Sequence, residues 1–240
     1  MEALSGGRLK KSVSPIRAIL FDCNGIIADD EPIHFRLFQQ VMKEEGVDFT
    51  EEEYERKYLA MDDRACFRAV LKDRGQAASP ARVKELIARK AAYYKKTIET
   101  ELRIFPGVKS FVRRHQSRYT LAVVSGALRH EIDLILRRGG IRPAFVAVVS
   151  SEDVRNSKPH PEGYLLGFKL LNRLSRFKKH PLKASECLAI EDSIHGVEAA
   201  LAAGMRCLAV TNSYKAEKLG KADYVVKSLA GVKVEKLTAR

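Results

Sequence analysis

The chain has 240 residues, 45% hydrophobic and 30% charged, with a formal net charge of +13. This length suits one α/β domain with an insertion and is ample for a buried core. No apolar run approaches the roughly 18 residues of a membrane span, and Met1 to Ser14 lacks the apolar stretch of a secretory signal, which disfavours membrane and secreted classes. A cytoplasmic protein with no membrane partner is expected, with a mobile tail from Ser5 to Ser14.

The first predicted element is a buried strand from Arg17 to Asp22. From about Glu31 to Ile104 apolar residues recur at helical spacing instead. Thr50 with Glu53 predicts a capping box, and Ser79-Pro80 is typical of a helix start. We therefore expect a small helical bundle inserted after the first strand.

Strand and helix patterns alternate again after Pro106-Gly107. Five further strands are predicted, namely Leu121 to Val124, Phe145 to Val149, Cys187 to Ile190, Cys207 to Val210 and Tyr224 to Val226. Such alternation implies a parallel sheet with helices on both faces. The predicted fold is α/β, a doubly wound, Rossmann-like core formed by residues 1–30 and 105–240, with a helical insertion over residues 31–104.

Four short polar blocks follow apolar, strand-like runs: Phe21-Asp22-Cys23-Asn24-Gly25, Val123-Val124-Ser125-Gly126, Ser157-Lys158-Pro159 and Ile190-Glu191-Asp192-Ser193. The carboxyl ends of parallel strands share one edge of the sheet, where ligands of open α/β folds bind. A carboxylate, a hydroxyl, an ammonium group and an acid pair at that edge predict a phosphoryl-transfer site. Taken singly, Asp22, Ser125 or Ser193 could merely cap a helix or a turn.

In their order and spacing, these blocks resemble the four motifs of the haloacid-dehalogenase-type phosphohydrolases, in the branch of β-phosphoglucomutase and small sugar-phosphate phosphatases. The resemblance covers nearly the whole chain. It implies that Asp22 is a nucleophile that becomes an aspartyl phosphate, with Asn24 at the acid/base position. The implied phosphate-binding residues are Ser125, Gly126 and Lys158, the last also catalytic, and the implied Mg²⁺ ligands are Asp22, Asn24, Glu191 and Asp192.

Asn24 departs from the family, which has Asp at this position. The family residue protonates the leaving group and then activates water, while its backbone carbonyl contacts the metal. An amide keeps the carbonyl but cannot exchange a proton near neutral pH, and general acid–base catalysis is typically worth about 10²- to 10⁴-fold. We expect an impaired phosphohydrolase site, whether the asparagine was introduced or is natural.

Three residues of the insertion, His34, Arg64 and Lys90, are candidates to reach the substrate. His34 and Lys90 resemble residues of the mutase-like branch, and Arg64 resembles an arginine that contacts a second phosphate. The family's hinge glycine is Ala60 here. The alternative for each candidate is a solvated side chain on a helix surface.

The leading hypothesis is Mg²⁺-dependent hydrolysis of a small phosphorylated metabolite, such as a sugar phosphate, by a monomer or weak homodimer. A phosphosugar mutase carries further polar residues after the serine, whereas this chain has Gly126-Ala127-Leu128-Arg129, which favours the phosphatase. A dehalogenase has no use for Glu191 and Asp192. A non-catalytic protein that binds a phosphorylated ligand is the alternative that Asn24 favours.

Basic residues cluster without any acid between residues 169 and 183. Clustered Lys and Arg can bind nucleic-acid phosphates, but this segment continues a helical pattern and has little aromatic interleaving. A solvated helix face is the favoured interpretation, so nucleic acid is not expected as a partner. Cys23, Cys66, Cys187 and Cys207 lack metal-ligand spacing and are expected to be reduced and structural.

Overall fold

The computed structural model describes residues 14–59 and 61–237. Its core is a six-stranded sheet in which every pair of neighbouring strands is parallel. The strands are β1 (Ala18–Phe21), β2 (Thr120–Val124), β3 (Phe145–Val149), β4 (Cys187–Glu191), β5 (Arg206–Val210) and β6 (Tyr224–Val226), in the order β3-β2-β1-β4-β5-β6. The predicted fold class is confirmed. The expected tail before Ser14, and Ala60, lie outside the described residues.

Eight α-helices accompany the sheet in the described part of the chain. They are α1 (Glu31–Glu44), α2 (Glu51–Lys57), α3 (Asp63–Asp73), α4 (Pro80–Glu101), α5 (Val108–His115), α6 (Arg129–Arg138), α7 (Glu162–Asn172) and α8 (Ile194–Ala202). Within residues 14–59 and 61–237, none of the helices is both long enough and apolar enough to cross a membrane.

Helices cover both faces of the sheet because successive residues of a strand point in opposite directions. In β1, Ile19 and Phe21 pack into the cluster that contains the apolar residues of α5 and α6. Ala18 and Leu20 pack into a second cluster with α7 and α8. All four residues of β1 are fully buried. Burial on both faces of the sheet explains why the sequence of this strand is continuously apolar. The four cysteines are free and buried, as predicted.

Helices α1 to α4 form the insertion between β1 and α5, and they have an apolar core of their own. Ser79 caps α4 as predicted, since its hydroxyl accepts a hydrogen bond from the Arg82 N–H. The predicted capping box of α2 is only half formed. Thr50 accepts a hydrogen bond from the Glu53 N–H, but the Glu53 carboxylate pairs with Arg74, because a charged partner is within reach.

The two chain segments that join the insertion to the core run side by side. Ala28 forms a β-bridge with Ile104, and the Phe105 N–H donates to the Ile27 carbonyl oxygen over 3.0 Å. The second segment then turns at Gly107, whose φ is +88°. A Cβ at Gly107 would lie 2.5 Å from the backbone nitrogen of Ala230.

Gly107→Ala is therefore expected to destabilise the protein more than Gly46→Ala does. Both glycines have positive φ, +88° and +72°, so both variants carry the backbone strain, but Gly46 has no atom within 4 Å of an added Cβ. We expect the free energy of unfolding to fall by roughly 1–3 kcal/mol more for Gly107→Ala. Urea unfolding of both variants measures the difference, and equal losses would contradict the backbone clash.

Candidate active site

Three of the four polar blocks lie where their strands end at the carboxyl edge of the sheet. Asp22 directly follows β1, Ser125 directly follows β2, and Glu191 is the last residue of β4 with Asp192 after it. Because β1 pairs with both β2 and β4, these side chains meet at the point where the strand order reverses.

Lys158 does not end a strand, and that part of the expectation is wrong. β3 ends at Val149, and the Asp153 carboxylate then accepts hydrogen bonds from the Ser150 N–H and hydroxyl, which closes a 3₁₀ turn over Ser151–Asp153. The chain continues as an irregular loop to α7. This loop brings Lys158 back over the sheet edge.

Asp22, Glu191 and Asp192 each offer an oxygen atom to a group in which all oxygens lie within 4.8 Å of one another. All three residues are buried. Burial, together with the charges of Asp22 and Glu191, raises the pKa of Asp192 well above its usual range. Oxygen atoms of carboxylates are the ligands that Mg²⁺ and Ca²⁺ prefer, so the donor set suits a hard divalent cation.

Lys158 balances part of this negative charge. Its Nζ atom lies 2.9 Å from Asp22 Oδ1 and 2.6 Å from Glu191 Oε1. Burial opposes the charged ammonium group, but the carboxylates of Asp22 and Glu191 outweigh it and hold the pKa of Lys158 above its usual value. Lys158 is therefore positively charged beside the carboxylate that was predicted to be the nucleophile.

Two residues that the sequence did not single out orient the acid pair. The Tyr164 hydroxyl on α7 donates to Glu191 Oε1 over 2.5 Å, and the Ser213 hydroxyl donates to Asp192 Oδ2. Glu191 Oε1 accordingly has two partners, Lys158 and Tyr164, which leaves Asp22 and Asp192 freer to bind a cation. Tyr164 lies on α7 and Ser213 lies in the turn after β5, both distant in sequence from the acid pair. No sequence motif identifies either residue.

The Asn24 side chain sits between the sheet edge and the insertion. Its Nδ2 atom donates to Asp30 Oδ2 over 2.7 Å and lies 3.0 Å from His34 Nε2. On the other side, the Ser125 hydroxyl lies 3.4 Å from Asn24 Oδ1. The Tyr94 hydroxyl also donates to Asp30, so the carboxylate that faces the amide is held in place. Asp30 and Tyr94 were not predicted as site residues.

Two of the three candidates from the insertion, His34 and Lys90, belong to the hydrogen-bond network around Asn24. Lys90 is 1% exposed, and its Nζ atom lies 2.7 Å from His34 Nδ1 and 2.6 Å from Asp63 Oδ1. The insertion thus reaches Asn24 through Lys90 and His34. Burial and the Lys90 charge oppose protonation of His34, but the Asp30 carboxylate outweighs them and raises the pKa of the imidazole.

Arg64 is placed differently. It is exposed on α3 and borders the cavity, and within the described ranges it forms no ion pair. Its position is compatible with ligand contact, but no contact to the other candidate residues orients it.

A cavity of about 530 Å³ separates the insertion from the sheet edge. Its lower wall includes Asp22, Asn24 and Lys158, with the exposed Gly126 at its side. The Asp62 carboxylate of the insertion accepts a hydrogen bond from the Ser157 hydroxyl of the core. The insertion therefore roofs the cavity, which is the arrangement that a site closed around a small ligand requires.

The family model of haloacid dehalogenase-like hydrolases matches residues 19–210. An uncharacterized protein of Haemophilus influenzae is 30% identical over 197 residues, which are 80% of this chain and 90% of that protein. A phosphorylated carbohydrates phosphatase of Thermotoga maritima is 28% identical over 198 residues, 79% of this chain and 82% of that protein.

A solved structure of similar fold is a mutant of CbbY from Rhodobacter sphaeroides in complex with xylulose-(1,5)bisphosphate. It has a TM-score of 0.78 and 25% identity and covers 90% of this chain and 96% of its own. The family match spans the strands that carry Asp22, Ser125 and the acid pair. From the sheet topology, the clustered motif residues and this match, it follows that the chain belongs to the haloacid dehalogenase-like hydrolase family.

Proposed function

We propose that this protein hydrolyses a phosphate monoester of a small metabolite, of the phosphosugar type, through a phosphoryl group carried on Asp22. The observation that supports it best is the position of the Asp22 carboxylate at the floor of a roofed cavity, 2.9 Å from the Lys158 ammonium and beside Asp192. The names of the relatives, among them a phosphatase of phosphorylated carbohydrates and hexitol phosphatase B of Escherichia coli, support the same class.

The proposed first step is attack of an Asp22 oxygen on phosphorus, which forms the acyl phosphate as the bond from phosphorus to the alcohol oxygen breaks, and that oxygen takes a proton from water. Lys158 attracts the phosphate and screens its repulsion from Asp22. Ser125 and the backbone of Gly126 border the same volume and are proposed to donate hydrogen bonds to phosphoryl oxygens. In the second step water attacks the phosphoryl group and restores the Asp22 carboxylate, which splits one difficult displacement into two easier ones.

Asp22, Asp192 and the backbone carbonyl of Asn24 are proposed to bind Mg²⁺. Beside them, Glu191 pairs with Lys158 and accepts a hydrogen bond from Tyr164. Mg²⁺ bound there would neutralise charge between the nucleophile and the phosphate. The three crowded carboxylates and the raised pKa of Asp192 support a cation at this point.

Asn24 is proposed to slow both steps. A carboxylic acid at this position would give a proton to the leaving oxygen and take one from the attacking water, and an amide does neither. Asn24 contacts Asp30 and His34, and His34 contacts Lys90, and these contacts support the proposal that the rest of the site is intact. Turnover that is slow but present is the expected behaviour.

Asn24 also favours a second function, binding of a phosphorylated ligand without hydrolysis. The Asp22–Lys158 pair opposes it, since a binding protein needs no nucleophile. A mutase is less favoured because Ala127 and Leu128 offer no side-chain donors for a second phosphate. A screen of phosphorylated metabolites against the chain and its Asn24→Asp variant separates the possibilities. Hydrolysis supports the phosphatase, isomerisation supports the mutase, and binding without turnover by either protein supports the binding protein.

Mg²⁺ is expected to raise the melting temperature of the protein, and Asp192→Asn is expected to abolish that rise. Binding to the folded state alone stabilises it, and each kcal/mol of binding free energy shifts the melting temperature by about 2–4 °C in a chain of this size. Ser213→Ala is the matched control, because it removes only the hydrogen bond that orients Asp192 and is expected to weaken the shift without abolishing it. An undiminished shift in Asp192→Asn would place the cation elsewhere.

Inorganic phosphate with Mg²⁺ is expected to slow proteolysis within residues 28–30 and 105–107. These two segments join the insertion to the core, so opening of a cap must flex them, and a ligand held from both sides opposes opening. Ser157→Ala removes the contact to Asp62 from the core side, and it should speed cleavage of the free protein. Cleavage rates that do not depend on phosphate would rule out closure by the insertion.

A further inference from the structure

Part of the upper wall of the cavity is apolar, although its floor is charged. Side chains from α1, α4 and the segment between α2 and α3 border it, namely Phe38, Leu59, Met61, Val83 and Ile87. Within this wall Phe38 and Val83 are buried, Leu59 and Ile87 are half-buried, and Met61 is 36% exposed. A part of the ligand that points away from the phosphate and toward these five side chains would therefore meet carbon atoms.

Two polar groups beside this wall, Tyr54 and Lys90, are already paired. The Tyr54 hydroxyl donates to Glu31 Oε1 over 2.7 Å, and Lys90 is bound to Asp63 and His34. A hydroxyl group placed against Leu59, Met61 or Ile87 would lose hydrogen bonds to water, because these side chains offer no replacement, and unpaired buried hydroxyls are costly. An apolar leaving group would instead gain contact.

Three cations flank the apolar wall. Arg64, Arg68 and Lys84 are exposed, border the cavity and, among the residues that the structure describes, take part in no ion pair. A free guanidinium or ammonium group beside an apolar wall can lie over an aromatic ring, and it also attracts a doubly charged ester. Apolar contact and free cations together suit an aromatic group at this wall.

We infer that the preferred substrate is a phosphate monoester whose alcohol carries an aromatic or similarly apolar group, which packs between the wall formed by Leu59, Met61 and Ile87 and the cations of α3 and α4. This inference rests on the proposed function and refines its substrate class. The cavity of about 530 Å³ has room for such a group, since cavities of about 300–1,000 Å³ hold drug-sized ligands.

The test compares phenethyl phosphate with sorbitol phosphate, both esters of primary alcohols with the same charge. Initial rates with Mg²⁺ are measured for the chain and for Asn24→Asp. We expect kcat/KM to be at least about tenfold higher for phenethyl phosphate, since a small difference in apolar contact is typically worth about 10- to 200-fold. Ile87→Asn and, independently, Met61→Ser should lower kcat/KM for phenethyl phosphate by about tenfold, mainly through KM, and leave sorbitol phosphate within about twofold.

Leu165→Asn is the matched control, because Leu165 is 45% exposed on α7 and lies outside the cavity lining, and it should change neither ester. Equal or better turnover of sorbitol phosphate, with no loss in Ile87→Asn or Met61→Ser, would overturn the inference and leave the phosphatase standing. Failure of the chain and of Asn24→Asp to hydrolyse either ester would count against the phosphatase itself, and with it the inference.

Discussion

Asp22→Asn is expected to remove phosphate-ester hydrolysis, with a loss of kcat on the order of the 10⁴- to 10⁶-fold that removal of a nucleophile or its partner causes in hydrolases. The amide cannot form the acyl phosphate that the proposed reaction passes through. The measurement is best made in the Asn24→Asp background, where turnover is expected to be higher and the fall is easier to quantify.

The fold should survive this substitution, because Asn has nearly the size of Asp and the change relieves crowding among three buried carboxylates. The melting temperature without added cation should therefore be unchanged or higher. Lys158 keeps its second partner, Glu191, and stays in place to attract phosphate. If Asp22→Asn retained more than about one hundredth of the parent kcat, Asp22 would not be the nucleophile.

Asn24→Asp is expected to raise kcat by about 10²-fold or more, within the 10²- to 10⁴-fold that general acid–base catalysis supplies. The new carboxyl group would occupy the position of an amide that now lies 2.7 Å from Asp30 Oδ2. Two carboxylates at such a distance do not both ionise readily, so the pKa of the introduced group should lie above that of an ordinary aspartate. A carboxyl group that stays protonated up to a higher pH is the better proton donor to a leaving oxygen.

Asn24→Ala is the matched control for this gain. It keeps the backbone carbonyl proposed to contact Mg²⁺, and it carries no group that can exchange a proton, so its kcat should stay at or below that of the parent. The rise in melting temperature caused by Mg²⁺ should be similar in all three proteins. No gain for Asn24→Asp across a broad panel of phosphate esters would favour a protein that binds its ligand without hydrolysing it.

The sheet and its edge were predictable from the sequence because they depend on local patterns. Short continuous apolar runs that end at a turn signal, such as the Leu121 to Val124 part of β2, are typical of a buried parallel strand. A polar residue directly after such a run must lie at the strand's carboxyl end, which is why Asp22, Ser125 and the acid pair could be placed together. The helical insertion followed from helical spacing and from the cap at Ser79.

The supporting contacts were not predictable, because they join residues far apart in the sequence. Tyr164 resembles any apolar residue of an amphipathic helix until α7 packs over Glu191. Ser213 gave no signal either, since it lies in an ordinary turn after β5 and reaches Asp192 only in the folded chain. The sequence does not distinguish the apolar wall of the cavity from helix core, because periodicity shows which residues share a helix face and not which of them border a cavity.

The acyl phosphate of Asp22 is the species that distinguishes the proposed reaction from simple ligand binding. Its lifetime depends on activation of the attacking water, which Asn24 cannot provide. An ester whose leaving group needs no proton, such as p-nitrophenyl phosphate, removes the need for the acid in the first step, so the intermediate should accumulate when the chain is mixed with Mg²⁺ and an excess of this ester. Rapid acid quenching followed by mass spectrometry of the intact chain and of its peptides measures this directly. The predicted result is one phosphoryl group per chain, removed by hydroxylamine, located on Asp22, and about 10²-fold or more longer-lived than in Asn24→Asp. A chain that releases phosphate while remaining unmodified, or a phosphoryl group on a residue other than Asp22, would contradict it.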